Sequence, residues 1–138
     1  MNLSKDMQKV FTDEVRTAIN HMKKAEMPEE KLFFLSAVYG AAFRIMNIQF
    51  DPELAFINHV VNAAYSMMNA NLASIRQGQG VNTFPKNVFE KLEDALGQLV
   101  EIIEQGERTY PVLETIFNLA YITTGNGYYL YLKGMIAI

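Results

Sequence analysis

The chain has 138 residues, a net charge of −3 and no cysteine. Its length fits one domain, residues 1–138, with its own hydrophobic core, and the lack of cysteine excludes disulfides, thiolate metal ligands and cysteine nucleophiles. A mildly acidic chain without a basic patch argues against nucleic acid as a partner. The first residues contain no apolar signal core, and polar groups interrupt both of the most apolar windows. We therefore expect a cytoplasmic protein without a membrane span.

The first predicted element is an amphipathic helix from Ser4 to about Ala25. Ser4 is a favourable N-cap residue, and Asp6 lies in the first turn, where an acidic side chain interacts well with the helix dipole. Apolar side chains recur at helical spacing on one face of the segment. Pro28 then marks the first turn of a second helix, and so short a link makes the two helices antiparallel neighbours.

The most apolar segment of the chain is Leu32–Ile48, in which 13 of 17 residues are apolar. A helix that is apolar nearly all round is typically buried, so we expect this second helix at the centre of a bundle. Its four exceptions fall on one stripe of the helix, about 80° wide. We expect the small residues of this stripe to form a groove that lets a third helix approach closely. The stripe consists of Ser36, Gly40, Arg44 and Asn47.

A third helix is predicted from Pro52 to about Arg76. Asp51 is a favourable N-cap residue, and proline suits the first helical position. The segment Leu54–Ile75 carries no charge over 22 residues. Because a helix exposed to water normally carries Lys or Glu on its wet face, we expect the third helix to contribute to the interface of a homo-oligomer. A two-fold dimer is the commonest arrangement.

The rest of the chain predicts further helices separated by glycine and proline. The segment Gly78–Pro85 is expected to be irregular and to cross the end of the bundle. A fourth amphipathic helix follows from about Pro85 to Gln105, and a fifth opens at Tyr110. The tail after Gly127 has a strand-like composition but no partner strand, so we expect it to be helical, with a break or kink at its glycines. The predicted fold is all-α, an up-and-down four-helix bundle core with an additional helix and short loops.

The sequence contains no recognisable catalytic or metal-binding motif. Neither His21 nor His59 has an acidic residue three positions before it, as a di-iron helical bundle requires, so no metal and no cofactor are predicted. No serine stands in a nucleophile motif. Two glycine-rich stretches, around Gly78 and Gly125, could present backbone N–H groups to a phosphate. Helix termination or a kink is the preferred interpretation of both.

One group of residues suggests a ligand site. Arg44 lies near the end of the apolar second helix and needs an anionic partner. In the preferred interpretation it pairs with Asp51 or Glu53 at the start of the third helix and neutralises the carbonyl end of its own helix. The alternative is a polar pocket for a small anionic molecule, with Arg44 as its anchor and the third helix supplying the other contacts. The ligand-binding residues would then be Arg44, Asn58, His59 and Asn62.

The order and length of the helices resemble small archaeal helical-bundle proteins of unknown function near the cobalamin adenosyltransferase-like fold. The stretch Thr124-Gly125-Asn126-Gly127 is similar to the Thr/Gly-rich part of the nucleotide loop in that enzyme family, although it lies at the opposite end of the chain. The arginine-rich helix of the family has no counterpart here. The resemblance implies a fold rather than an activity.

Two functions are compatible with the sequence, and whether the protein is an enzyme stays open. The first is a non-enzymatic, homo-oligomeric interaction or structural protein, which the missing catalytic motifs and the uncharged helices favour. The second is a binder or transferase for a small anionic ligand, a nucleotide or cofactor, of the cobalamin adenosyltransferase-like type. Arg44 and the asparagine-rich third helix favour the second. In either case we expect a homo-oligomer without a nucleic-acid or membrane partner.

Overall fold

The computed structural model describes residues 1–81 and 83–138, and over these residues the chain forms six α-helices and no strand. The prediction of an all-α fold is confirmed. Residue 82, within the segment predicted to be irregular, lies outside the described residues. The helices are α1 (Lys5–Lys24), α2 (Pro28–Ile48), α3 (Pro52–Arg76), α4 (Val88–Gln105), α5 (Tyr110–Tyr121) and α6 (Gly125–Leu132).

Local capping explains where the helices begin. The Ser4 hydroxyl accepts a hydrogen bond from the Met7 amide at the start of α1, and the Asp51 carboxylate accepts two from the first turn of α3. Both predicted caps are confirmed. Helix α4 begins at Val88 rather than at Pro85, because Asn87 has a left-handed backbone with φ of 64° that interrupts the helix before it starts.

Five helices enclose the hydrophobic core in a closed circuit. Each helix packs against two neighbours, in the order α1, α2, α3, α5 and α4. An ion pair between Arg16 and Glu104 and another between Lys31 and Glu93 place α4 antiparallel to α1. Helix α6 packs against α5. The fully buried side chains inside the circuit come from all five helices and include Phe11, Leu35, Ile57, Leu96 and Ile116.

Helix α2 is not the buried central helix that its composition predicts. It buries one face between α1 and α3, but Phe33 is 66% exposed and Phe43 is 53% exposed on its outer side. The expectation was wrong because it was based on composition, which does not show whether an aromatic side chain points into the core or towards solvent. Among the described residues α2 is also the one helix long and apolar enough to cross a membrane, a test that the core helix of a soluble protein passes equally.

The predicted stripe on α2 faces solvent and does not form a groove for α3. Arg44 and Asn47 are exposed, and Ser36 and Gly40 are half-buried. A Cβ atom added to Gly40 would meet no atom closer than 3.9 Å, and that atom belongs to Arg44 of the same helix. The predicted close approach of α3 at Gly40 is therefore wrong.

Exposed ion pairs join neighbouring helices. The Arg76 guanidinium at the end of α3 donates two hydrogen bonds of 3.0 Å to the Glu29 carboxylate at the start of α2. These hydrogen bonds lower the pKa of Glu29 and raise the pKa of Arg76. The hydrogen bond from Arg16 to Glu104, 2.6 Å long, raises the pKa of Arg16 in the same way. Because these ion pairs are exposed to solvent, they contribute little to the stability of the fold.

Candidate functional site

Arg44 lies in a groove between α1 and α2, where it forms an ion pair with Glu14 of α1. The predicted pairing with Asp51 or Glu53 is wrong. Long side chains on a helix lean towards its N-terminus, and the Arg44 guanidinium accordingly lies over Gly40, away from the turn into α3. The sequence-based interpretation considered only the α2–α3 turn, whereas the acidic partner comes from the preceding helix.

Aromatic rings form one wall of this α1–α2 groove. The imidazole of His21 stacks on the ring of Phe34, with the centroids 4.8 Å apart and the planes 13° from parallel. The ring of Phe33 meets Phe34 edge-on at 5.3 Å. The groove has a volume of about 360 Å³, and Ala18 and Ala37 line it between the aromatic wall and the Arg44 ion pair. It therefore combines an apolar surface with the Arg44–Glu14 ion pair and the carboxylate of Asp13.

The other three residues predicted to share a ligand site with Arg44 lie on α3. Asn58 is buried, while His59 and Asn62 are exposed on the outer side of α3. The lining of the α1–α2 groove includes none of the three, and α2 lies between α1 and α3. The structure therefore does not bring Arg44, Asn58, His59 and Asn62 into one pocket.

The outer side of α3 is exposed and uncharged. It carries amide, hydroxyl and methyl groups where α1 and α4 carry lysine, aspartate and glutamate. The nearest charged residues on α3 lie at its two ends, at Glu53 and Arg76. We call this surface the α3 outer face, and it consists of His59, Asn62, Ala63, Ser66, Asn69 and Ala70.

An apolar groove with a volume of about 440 Å³ runs beside the α3 outer face, between α3 and α5. The rings of Phe56 and Tyr110 meet at one end of it at 5.3 Å, with their planes 72° apart. Phe117 lies further along α5 and is 40% exposed. The sequence did not predict this α3–α5 groove, although Tyr110 and Phe117, two helical turns apart, could have suggested an aromatic edge on α5. The groove is lined by Phe56, Val60, Tyr110, Leu113, Glu114 and Phe117.

The second glycine-rich stretch forms a tight corner between α5 and α6. The Thr124 hydroxyl donates to the Tyr121 carbonyl and accepts from the Gly127 amide, so it caps α6 as an N-cap residue. A Cβ atom on Gly127 would lie 1.7 Å from the Tyr121 carbonyl oxygen, which only glycine avoids. The preferred interpretation of this stretch, a helix end or kink rather than a phosphate site, therefore accounts for its glycines. At the first stretch, Gly78 and Gly80 adopt positive φ angles just after the end of α3, as helix termination requires.

Within residues 1–81 and 83–138 no group of three or more histidine, aspartate and glutamate side chains is placed to hold a metal ion. Comparisons with protein-family models, with curated proteins and with solved structures find no match for the chain. The resemblance to the cobalamin adenosyltransferase-like fold stays a prediction. The α1–α2 groove, the α3 outer face and the α3–α5 groove are the candidate functional surfaces of the protein.

Proposed function

We propose that this protein is a non-enzymatic interaction protein that works as a homodimer, with the α3 outer face and the α3–α5 groove as its interface. One observation carries the proposal. The exposed side of α3 carries no charge between its two ends, whereas the exposed sides of α1 and α4 are densely charged around the same core. Exposed aromatic side chains, which are enriched at protein interfaces, lie next to this uncharged surface.

The chemistry of the α3 outer face suits a second copy of the same chain. The amide groups of Asn62 and Asn69 both donate and accept hydrogen bonds, so an amide on one subunit can pair with an amide on the other across a two-fold axis. Covering uncharged amides costs less desolvation free energy than covering charges. Ala63, Ser66 and Ala70 are small, which lets a second helix approach closely. An uncharged surface offers no electrostatic attraction to a charged partner.

The size of the surface sets what a dimer interface must include. The α3 outer face spans residues 59–70 and is about 18 Å long at 1.5 Å per residue. A strip of that length and two helix spacings wide, about 20 Å, covers about 360 Å². A stable interface of standard size buries about 800 Å² on each partner. The α3 outer face alone is therefore too small, and the proposal requires the α3–α5 groove and its surroundings to be part of the interface.

The arrangement of the helices as a four-helix core with one additional helix is also part of the proposal. Helices α1 to α4 alternate in direction as in an up-and-down four-helix bundle, and α5 is the additional helix, inserted between α3 and α4. Because α5 packs against both, it takes the place that α3–α4 packing has in a four-helix bundle. A cytoplasmic location, without nucleic-acid or membrane partners, is part of the proposal as well.

Light scattering after gel filtration tests the homodimer with two matched charge variants. Asn62→Arg places two like charges near the two-fold axis and is expected to halve the mass while leaving helical circular dichroism unchanged. Gln98→Arg adds the same charge to an exposed position of α4 and is expected to remain dimeric. A parent protein that is monomeric at tens of micromolar would contradict the proposal, as would dissociation by Gln98→Arg alone.

The alternative function, a binder or transferase for a nucleotide or cofactor, has less support. Arg44 is exposed and could reach an anion, but Glu14 already neutralises its guanidinium. The α3 residues of the predicted site lie outside the α1–α2 groove. Thermal shift against nucleotides, cobalamins and phosphorylated metabolites tests it. A shift that Arg44→Ala abolishes would favour this function over the first.

A further inference from the structure

We propose that the α1–α2 groove binds a small zwitterion with an apolar body, of the chemical class of an aromatic amino acid. In this assignment the ligand carboxylate pairs with Arg44, the ligand ammonium pairs with Glu14, and the ring packs against Phe33 and Phe34. The site lies on the α1 side of α2, whereas the proposed dimer interface lies on α3 and α5. The inference therefore does not depend on the homodimer.

The ion pair between Arg44 and Glu14 determines the charge of the ligand. Both side chains are well exposed, at 61% and 40%, so the pair contributes little to folding and can open at low cost. A simple anion that bound Arg44 would leave Glu14 without a partner, and a simple cation would leave Arg44 without one. A zwitterion supplies a charge-assisted hydrogen bond to each group. The neighbouring carboxylate of Asp13 accepts a hydrogen bond from Lys9 at 2.6 Å, which leaves Glu14 as the acid for the ligand.

The aromatic wall determines the body of the ligand. The stacked rings of His21 and Phe34 present a rigid surface, and Phe33 stands edge-on beside them with two thirds of its surface exposed. Aromatic rings favour stacked and edge-to-face contacts with one another. A ligand ring placed here would cover Phe33 and extend the existing aromatic contacts. Ala18 and Ala37 leave space between this wall and the ion pair.

The size of the groove limits the ligand to about one ring. Small-molecule sites generally have volumes of about 300–1,000 Å³. The α1–α2 groove, at about 360 Å³, lies at the small end of that range. A single ring with a short zwitterionic chain suits this volume better than a nucleotide or a cobalamin does.

Isothermal titration calorimetry with three related compounds tests the assignment. Phenylalanine carries both charges, phenethylamine lacks the carboxylate, and 3-phenylpropionate lacks the ammonium. We expect saturable binding of phenylalanine and about tenfold or weaker affinity for each of the other two, because a hydrogen bond to a charged group contributes at that level. Absence of binding by phenylalanine at millimolar concentration would overturn the inference, and so would equal affinity for all three compounds.

Variants of the ion pair show whether each charge acts as assigned. Arg44→Gln is expected to weaken the binding of phenylalanine and to remove the contribution of the carboxylate to the binding of 3-phenylpropionate. Glu14→Gln is expected to weaken the binding of phenylalanine as well, and to remove the contribution of the ammonium to the binding of phenethylamine. Arg76→Gln removes an exposed arginine that pairs with Glu29, outside the groove, and is expected to leave binding unchanged. If Arg76→Gln weakens binding as much as Arg44→Gln, the ligand does not occupy the α1–α2 groove. Dimer mass measured on the same samples distinguishes failure of this site from failure of the proposed homodimer.

Discussion

Helices α1 and α4 face water with charged side chains, whereas α3 and α5 face it with amides, small residues and aromatic rings. Both pairs bury an apolar face in the same core, so burial does not explain the difference. On the charged side, Lys9 pairs with Asp13 and Arg16 pairs with Glu104. On the other side α5 carries a single charged residue, Glu114, between Tyr110 and Tyr121. The outward charge of a helix is thus a separate signal from its amphipathic period, and the proposed homodimer rests on that signal.

The largest expected effect lies on the uncharged side, where α6 meets α5. Gly127→Ala would place a Cβ atom 1.7 Å from the Tyr121 carbonyl oxygen. We expect it to lower the free energy of unfolding by about 3 kcal/mol, at the upper end of overpacking costs. Gly125→Ala is the matched control, because a Cβ atom there meets nothing within 4 Å. Chemical denaturation measures both, and equal effects would show that the corner is not closely packed.

The next effect compares the N-cap residues of α3 and α1. The buried Asp51 carboxylate accepts hydrogen bonds from Glu53, Leu54 and the Asn2 amide, whereas the exposed Ser4 hydroxyl accepts one. We expect Asp51→Ala to cost about 2 kcal/mol or more and Ser4→Ala about 0.5–1 kcal/mol. Urea denaturation at neutral pH gives both values. If Ser4→Ala costs as much as Asp51→Ala, burial does not distinguish the two caps.

A smaller effect, of opposite sign, tests the outer side of α2. Gly40→Ala is expected to raise the free energy of unfolding by about 0.5–1 kcal/mol, because alanine favours a helix interior over glycine. The added Cβ atom would be 3.9 Å from Arg44, an ordinary contact. Thermal and chemical unfolding both measure the change. A clear loss of stability would mean that a neighbouring helix approaches Gly40 after all.

The smallest effect concerns the exposed pair of Arg76 and Glu29. The hydrogen bonds from Arg76 hold the pKa of Glu29 below its ordinary value of 4.5. A carboxyl group with a lowered folded-state pKa stabilises the fold above its unfolded pKa and loses that contribution as the pH falls through the folded value. Arg76→Gln should therefore lower the unfolding midpoint slightly at about pH 7, and by less at about pH 3, below the ordinary pKa of Glu29. An equal difference at both pH values would show that the pair contributes nothing through its charge.

Features set by neighbouring residues in the chain could be predicted from the sequence. The caps at Ser4 and Asp51 depend on local propensity. The helix Gly125–Leu132 in the tail was predicted against its strand-like composition, because the chain offers no strand to pair with it. The start of α4 was missed because asparagine adopts a left-handed backbone only occasionally, so the residue type alone does not predict the conformation of Asn87.

Features that depend on packing between distant helices could not be predicted in the same way. The partner of Arg44 is Glu14, 30 positions earlier in the chain. The sequence near the α2–α3 turn therefore does not predict this ion pair. The exposure of Phe33 depends on which face of α2 packs against α1 and α3. The α3–α5 groove exists because α5 packs beside α3, an arrangement that periodicity alone does not specify.

The central claim is that the α3 outer face meets its own copy, and one distance measurement tests it most directly. The chain has no cysteine, so a single introduced cysteine carries a unique spin label. Pulsed electron paramagnetic resonance on labelled Ser66→Cys is expected to give one narrow intermolecular distance, shorter than the distance from labelled Gln98→Cys on α4. In labelled protein that light scattering shows to be dimeric, absence of intermolecular coupling at Ser66→Cys, or a shorter distance at Gln98→Cys, would contradict the account.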